Sequence, residues 1–234
     1  MRRDQTDRRP TRRDRAAGAV HRIARLAMLA ILPIIALTNL PAAAASFTAT
    51  LTDDAGRPLA DAVVTLTPIG PSLLPTPNLT RATINQTGEQ FLPEVVVVAP
   101  GGTVTFTNAD RTRHHVYSFS PIRQFEFVQN PGETSAPVSF DTPGIAAIGC
   151  NIHDGMIAHV VVTTAPFAAV TDAKGRVRIE DVPEGKFTAT AWHPRLRRSA
   201  APTRAEITLG PSGATQSFSL SVLPRPRHSH DSLY

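Results

Sequence analysis

From Ser46 onward the chain keeps to one pattern: short runs in which β-branched or aromatic side chains alternate with small or polar ones, each cut off by glycine, proline, asparagine or aspartate. Alternation at period two buries one face of a strand, and nothing here sustains the 3.6-residue period that an amphipathic helix requires. The clearest runs are SFTATLT, AVVTLTP, EVVVVA, TVTFTN, HVYSFS, APVSFDT, AHVVVTT, RVRIEDV, KFTATAW and SFSLSV. The sequence therefore predicts an all-β protein.

The first 45 residues follow other rules. An arginine-rich start leads into the apolar run LAMLAILPIIAL (Leu26 to Leu37) and then LPAAAAS, where Ala43, Ala44 and Ala45 supply small residues. That order is an export signal. It predicts a signal peptide over residues 1–45, cleaved before Ser46 to within a residue or two, and a periplasmic location. An uncleaved anchor is the alternative, but Thr38, Asn39 and Pro41 interrupt the apolar run, so no membrane span is expected after cleavage. Removing the segment also removes nine of the 24 Lys and Arg and three of the 19 Asp and Glu, leaving 15 basic and 16 acidic residues. The high isoelectric point belongs to the leader. Apart from a small basic cluster at Arg195, Arg197 and Arg198, the balanced remainder gives no electrostatic basis for nucleic-acid binding.

The 189 residues that follow suffice for one sizeable β-domain or two small ones. Residues 46–70 hold two strands, and a hairpin of that size is marginal alone in water. It needs a partner. TDDAGR (Thr52 to Arg57) and TDAKGR (Thr171 to Arg176) read as the same turn. This predicts that 46–70 and 165–223 build one small, discontinuous sandwich into which 75–164 is inserted. Tandem domains, with the first strands joining the middle segment, are the alternative. The proline-dense stretch PIGPSLLPTP (Pro68 to Pro77) reads as a crossing loop, and 224–234 as a disordered tail. Through GRPLADAVV and DAKGRVRIEDVPEG the outer pieces resemble the carboxypeptidase-regulatory or transthyretin-like β-sandwich, which implies a spacer or docking module.

Chemistry concentrates in GCNIHDGM, where Cys150, the only cysteine, is followed by His153 and Met156. One cysteine makes no internal disulfide in an oxidising compartment, which leaves a dimer link, a free thiol or a metal ligand. A thiolate, an imidazole and a thioether on one short loop can converge on a single ion, and in that case their softness favours copper over zinc. A second imidazole must come from upstream, where FTNADRTRHHV offers His114 and His115. Two imidazoles, a thiolate and a weak thioether form the blue-copper donor set.

Residues of about Thr83 to Thr163 resemble a plastocyanin- or amicyanin-type cupredoxin. The likeness is carried by the Cys150-x-x-His153-x-x-Met156 loop and by the frame Phe106-x-Asn108, five residues, His114-x-Val116. It implies a Greek-key β-sandwich, one type 1 copper ion, ligands His114, Cys150 and His153, and an axial Met156. His115 is the alternative to His114, and Asn108 belongs to the support of the site. It further implies electron transfer with a redox partner protein that docks at the ring edge of His153. The sequence departs from the family before the cysteine, where Ala146 and Ile148 replace the usual aromatic residues.

Two other functions use the same observations: copper delivery or storage by the same donors, and an envelope interaction module in which the metal does not matter. No enzyme is expected, because the seven histidines of the mature chain supply only one adjacent pair and no second cluster outside the tail. Away from the site, the Phe125 to Phe127 run reads as surface, His159 as structural or solvent-facing, His193 as a strand cap, and Trp192 as core. Alternation of Tyr117 and Phe119 predicts that one face of their strand is core.

Overall fold

The computed structural model describes residues 45–71, 79–197 and 202–225. The expectations placed on 1–44, on most of the proline-dense loop and on 226–234 lie outside these residues. Every regular element among the described residues is a strand, and the strands form four sheets.

Two sheets combine strands from both ends of the chain. In one, β1 (Ala45–Asp53) lies between β13 (Arg176–Val182), antiparallel, and β16 (Ala214–Leu220), parallel. The other has the order β12 (Phe167–Val170), β2 (Val63–Pro68), β14 (Gly185–Trp192), β15 (Thr203–Leu209). Strict alternation along β1 turns Phe47, Ala49 and Leu51 inward, where they meet Leu66, Phe187, Ala189 and Leu209 of the facing sheet in one core. Fully burying a side chain the size of Leu or Phe contributes about 1.5–3 kcal/mol, so this seam holds β1 in place.

The TDDAGR and TDAKGR turns are built alike. Asp53 Oδ1 accepts hydrogen bonds from the backbone N–H groups of Ala55 and Arg57, each at 2.9 Å, and Asp172 Oδ1 accepts from those of Lys174 and Arg176 at 2.8 and 2.9 Å. Each turn closes on a glycine at positive φ, Gly56 at 76° and Gly175 at 68°. At 175 a side chain is further excluded because a Cβ would run into the Leu51 carbonyl.

Residues of the middle segment form the other two sheets. One has the order β5 (Val95–Val98), β11 (Ile157–Val162), β10 (Gly144–Cys150), β7 (His114–Ser120), β8 (Arg123–Gln129). The other is β4 (Phe91–Leu92), β3 (Arg81–Gln86), β6 (Gly102–Asn108), β9 (Val138–Phe140). Their inward faces share one core that includes Ile84, Val104, Phe106, Phe140, Ile148 and Val160. Ala146 and Ile148, the positions that depart from the cupredoxin pattern, are wholly buried in it.

A third, smaller cluster joins the two sandwiches. Val95 and Val161 on the outer face of the middle sheet pack with Val63, and Val97, Val170 and Trp192 close around them. Trp192 thus serves in packing, and its ring meets that of His159 edge-on at 5.8 Å.

One expectation about a local face is corrected, and another holds on the face opposite the aromatic pair. The Phe125 to Phe127 run is not surface: in β8 Phe125 and Phe127 turn inward, with ring centroids 5.8 and 5.7 Å from Phe106, and only Glu126 faces out. Pairing with β7 sets this phase, which the run alone does not reveal. On β7 the core face carries His114, Val116 and Ser118, while Tyr117 and Phe119 lie on the outer face with Phe119 70% exposed. The aromatic pair alternates, but on the opposite side from the core.

Candidate metal centre

β7 opens where the chain leaves a pinned loop. Asn108, buried at the end of β6, accepts a hydrogen bond from Asp110 N at 2.9 Å and donates through Nδ2 to the carbonyls of Thr112 (2.8 Å) and Gln129 (3.1 Å). Gln129 in turn donates to the carbonyls of Phe106 and Glu133, both at 2.8 Å, and accepts from Gln86 at 2.7 Å. A buried amide network therefore fixes where His114 enters β7. Most buried polar groups are paired, and among the described residues one buried acceptor, Gln86 Oε1, has no hydrogen-bond partner.

Strand alternation then separates the two adjacent histidines. His114 is wholly buried and points into the middle sandwich. His115 points the other way, its Nε2 3.6 Å from Glu126 Oε2 on the outer face. The structure brings His114 to Cys150 and does not bring His115 there.

Cys150 ends β10 and is 8% exposed. The following turn folds back: Cys150 N donates to Met156 O at 3.3 Å, Met156 N to His153 O at 3.4 Å, and Ile152 N to Cys150 Sγ at 3.5 Å. Gly155 at φ 87° permits the reversal. Met156 is 2% exposed and packs in the same core cluster as Cys150.

Three donors meet. His114 Nδ1 is 3.7 Å from Cys150 Sγ and 3.3 Å from His153 Nδ1, and the donor atoms of all three residues lie within 4.8 Å of one another. Ligand atoms held about 2.0–2.3 Å from one ion stand roughly 3–4 Å apart, so these separations suit a shared metal. Soft sulfur with two imidazoles suits copper.

Each imidazole turns its other nitrogen to a carboxylate. His114 Nε2 is 2.9 Å from Asp110 Oδ2, and His153 Nε2 is 3.4 Å from Glu89 Oε1. Burial alone would raise the Asp110 carboxyl, but the backbone N–H groups of Glu89 and Gly88 and the His114 ring outweigh it and hold the group below the usual carboxylate range. With Nε2 turned to Asp110, the other ring nitrogen, Nδ1, faces the cluster. Sequence reasoning missed both carboxylates. Asp110, four residues before His114, was legible as a neighbour; Glu89 comes from the turn between β3 and β4, and no spacing announces it.

No protein-family model matches the chain, and no curated protein matches it. Cupredoxins are among the solved structures that resemble part of it. A purple cupredoxin from Nitrosopumilus maritimus is 25% identical, over 35% of this chain and 99% of that one, with a TM-score of 0.32. An amicyanin from Paracoccus versutus is 20% identical over 36% of this chain and 81% of that one, with a TM-score of 0.32. A copper-containing nitrite reductase from Thermus scotoductus is 26% identical over 42% of this chain at a TM-score of 0.31, and the match spans only 25% of the reductase.

Proposed function

We propose that this chain is a type 1 copper protein that carries single electrons to or from a partner protein in the periplasm. The observation that carries the reading is the convergence of His114 Nδ1, His153 Nδ1 and Cys150 Sγ at one buried point. Copper bound there supplies a one-electron couple. The protein's part is to hold the donors still. His114 is anchored through Asp110, Cys150 is fixed by the β10 ladder and its turn, and the buried Met156 would supply a thioether as a further donor. A donor set fixed by strand ends and a buried amide network changes little between oxidation states, which favours fast transfer.

The same rigidity weighs against delivery or storage. Handing a metal to an acceptor needs donors that reach the surface, whereas His114, Cys150 and Met156 are buried and only His153 has an edge in solvent, its side chain 20% exposed. That edge, beside the half-exposed Ile152, is where we place the partner's approach. We assign the chain no substrate turnover.

Copper loading tests the reading. One Cu(II) per chain should give an intense visible thiolate-to-copper band that Cys150→Ser abolishes. A colourless copper adduct on the folded protein would overturn it.

A further inference from the structure

The carboxylates behind the two imidazoles belong to one assembly. The Asp110 carboxylate takes three contacts: Oδ2 meets His114 Nε2 at 2.9 Å and the Glu89 N–H at 3.1 Å, and Oδ1 accepts the Gly88 N–H at 2.6 Å; the residue's own backbone N–H donates to Asn108 Oδ1 at 2.9 Å. Asp110 therefore does two things at once. It grips the outer nitrogen of one histidine and it fastens the turn that carries Glu89. Glu89 sits there with φ at 56°, directly after Gly88 at 61°, and its carboxylate reaches the outer nitrogen of the second histidine. The path runs from His114 through Asp110 and the 88–89 backbone to Glu89 and His153, and it closes where the two Nδ1 atoms face each other at 3.3 Å.

The consequence is electrostatic. The Cys150 sulfur and the Asp110 and Glu89 carboxyl groups surround the two imidazoles of a largely buried donor set with acceptor atoms. A carboxylate accepting the outer N–H of an imidazole pushes electron density towards the inner nitrogen and strengthens it as a donor. Both effects grow with the charge of the bound ion. Sulfur softness alone, which favours a monocation such as Cu(I), is thereby opposed by an outer layer that favours a dication.

We infer that Asp110 and Glu89 are a pair of positioning carboxylates, one behind each imidazole, that make the Cys150, His114 and His153 donor set prefer a doubly charged ion to a singly charged one. The inference rests on the metal reading of that donor set. It goes further by naming the residues that decide which charge of ion is held more tightly.

Two redox-inert probes, Zn(II) and Ag(I), separate charge preference from electron transfer. Competition titrations on the mature chain should show Asp110→Asn weakening Zn(II) tenfold to a hundredfold while Ag(I) changes by less than about threefold. Glu89→Gln, at a side chain 38% exposed, should shift the Zn(II) to Ag(I) ratio in the same direction by a smaller factor. The ratio is a signature that a merely structural role would not move, because misplaced donors weaken both ions alike. Equal loss of both ions, or an unchanged ratio in both variants, overturns the inference. Cys150→Ser separates the two levels: if it leaves both affinities intact, the donor reading itself fails; if it removes them while the carboxylate variants keep the ratio, only the charge preference fails.

Discussion

The ring of Tyr117 rests against Gly149, the residue before the metal-site cysteine: a Cβ at position 149 would stand 2.6 Å from Tyr117 Cζ and 2.7 Å from its Oη. The two residues face each other in register across β7 and β10. Gly149 is therefore a space requirement set by the neighbouring strand. Gly149→Ala should cost up to about 1 kcal/mol in urea unfolding, since only the far end of the Tyr117 ring has to give way. Adding Tyr117→Ala should recover most of that loss, and a double-mutant cycle with coupling near zero would refute the packing account.

Asn108 holds the loop into β7 by one accepted and two donated hydrogen bonds. Asn108→Ala strands the Asp110 N–H and two carbonyls in a partly dry site. A loss of about 2–4 kcal/mol is expected, together with weaker metal binding because His114 is no longer fixed. Denaturant unfolding and metal titration on one preparation check both parts.

His193 makes stability depend on pH. Its Nε2 is 3.0 Å from Ala60 O and its Nδ1 accepts the Arg195 N–H at 3.0 Å, an arrangement that needs a neutral ring. Burial first, then the Arg195 charge, lowers its pKa from 6.5 to about 4. Because the folded value lies below the unfolded one, this contribution is complete above pH 6.5 and is lost as pH falls towards 4. With allowance for solvent screening the loss is on the order of 2 kcal/mol. His159, lowered chiefly by burial, acts in the same sense. Melting curves at pH 7, 5.5 and 4 should fall in that order, and His193→Gln should flatten the slope.

Metal binding must appear as stability. An ion at a hundred times its dissociation constant adds about 2.7 kcal/mol to whatever unit holds it. Zn(II) or Cu(II) should therefore raise the melting temperature of the parent chain, and should not raise that of Cys150→Ser or His114→Ala. An equal rise in all three would place binding elsewhere.

Much of the architecture was legible because strands advertise themselves locally. Ten runs were visible; β3, β4, β8, β10, β12 and β15 were not, since RATINQ or GIAAIGC is too polar or too small to stand out before its neighbours are known. The likeness of TDDAGR to TDAKGR was legible because an Asx turn is made by residues within five positions of one another. Spacing likewise pointed to Cys150, His153 and Met156. Glu89 was not legible, because it reaches His153 from a separate turn.

By itself the sequence determined that this is a β-protein and which donor types, in which order, share the loop after β10. Period-two alternation and loop spacing are properties of neighbouring residues. Only the tertiary structure decided that His114 faces inward and His115 outward, that Tyr117 covers Gly149, and that a carboxylate stands behind each imidazole. Alternation specifies that two faces exist, but the phase between strands is set by hydrogen-bonded register and core packing with partners distant in the chain.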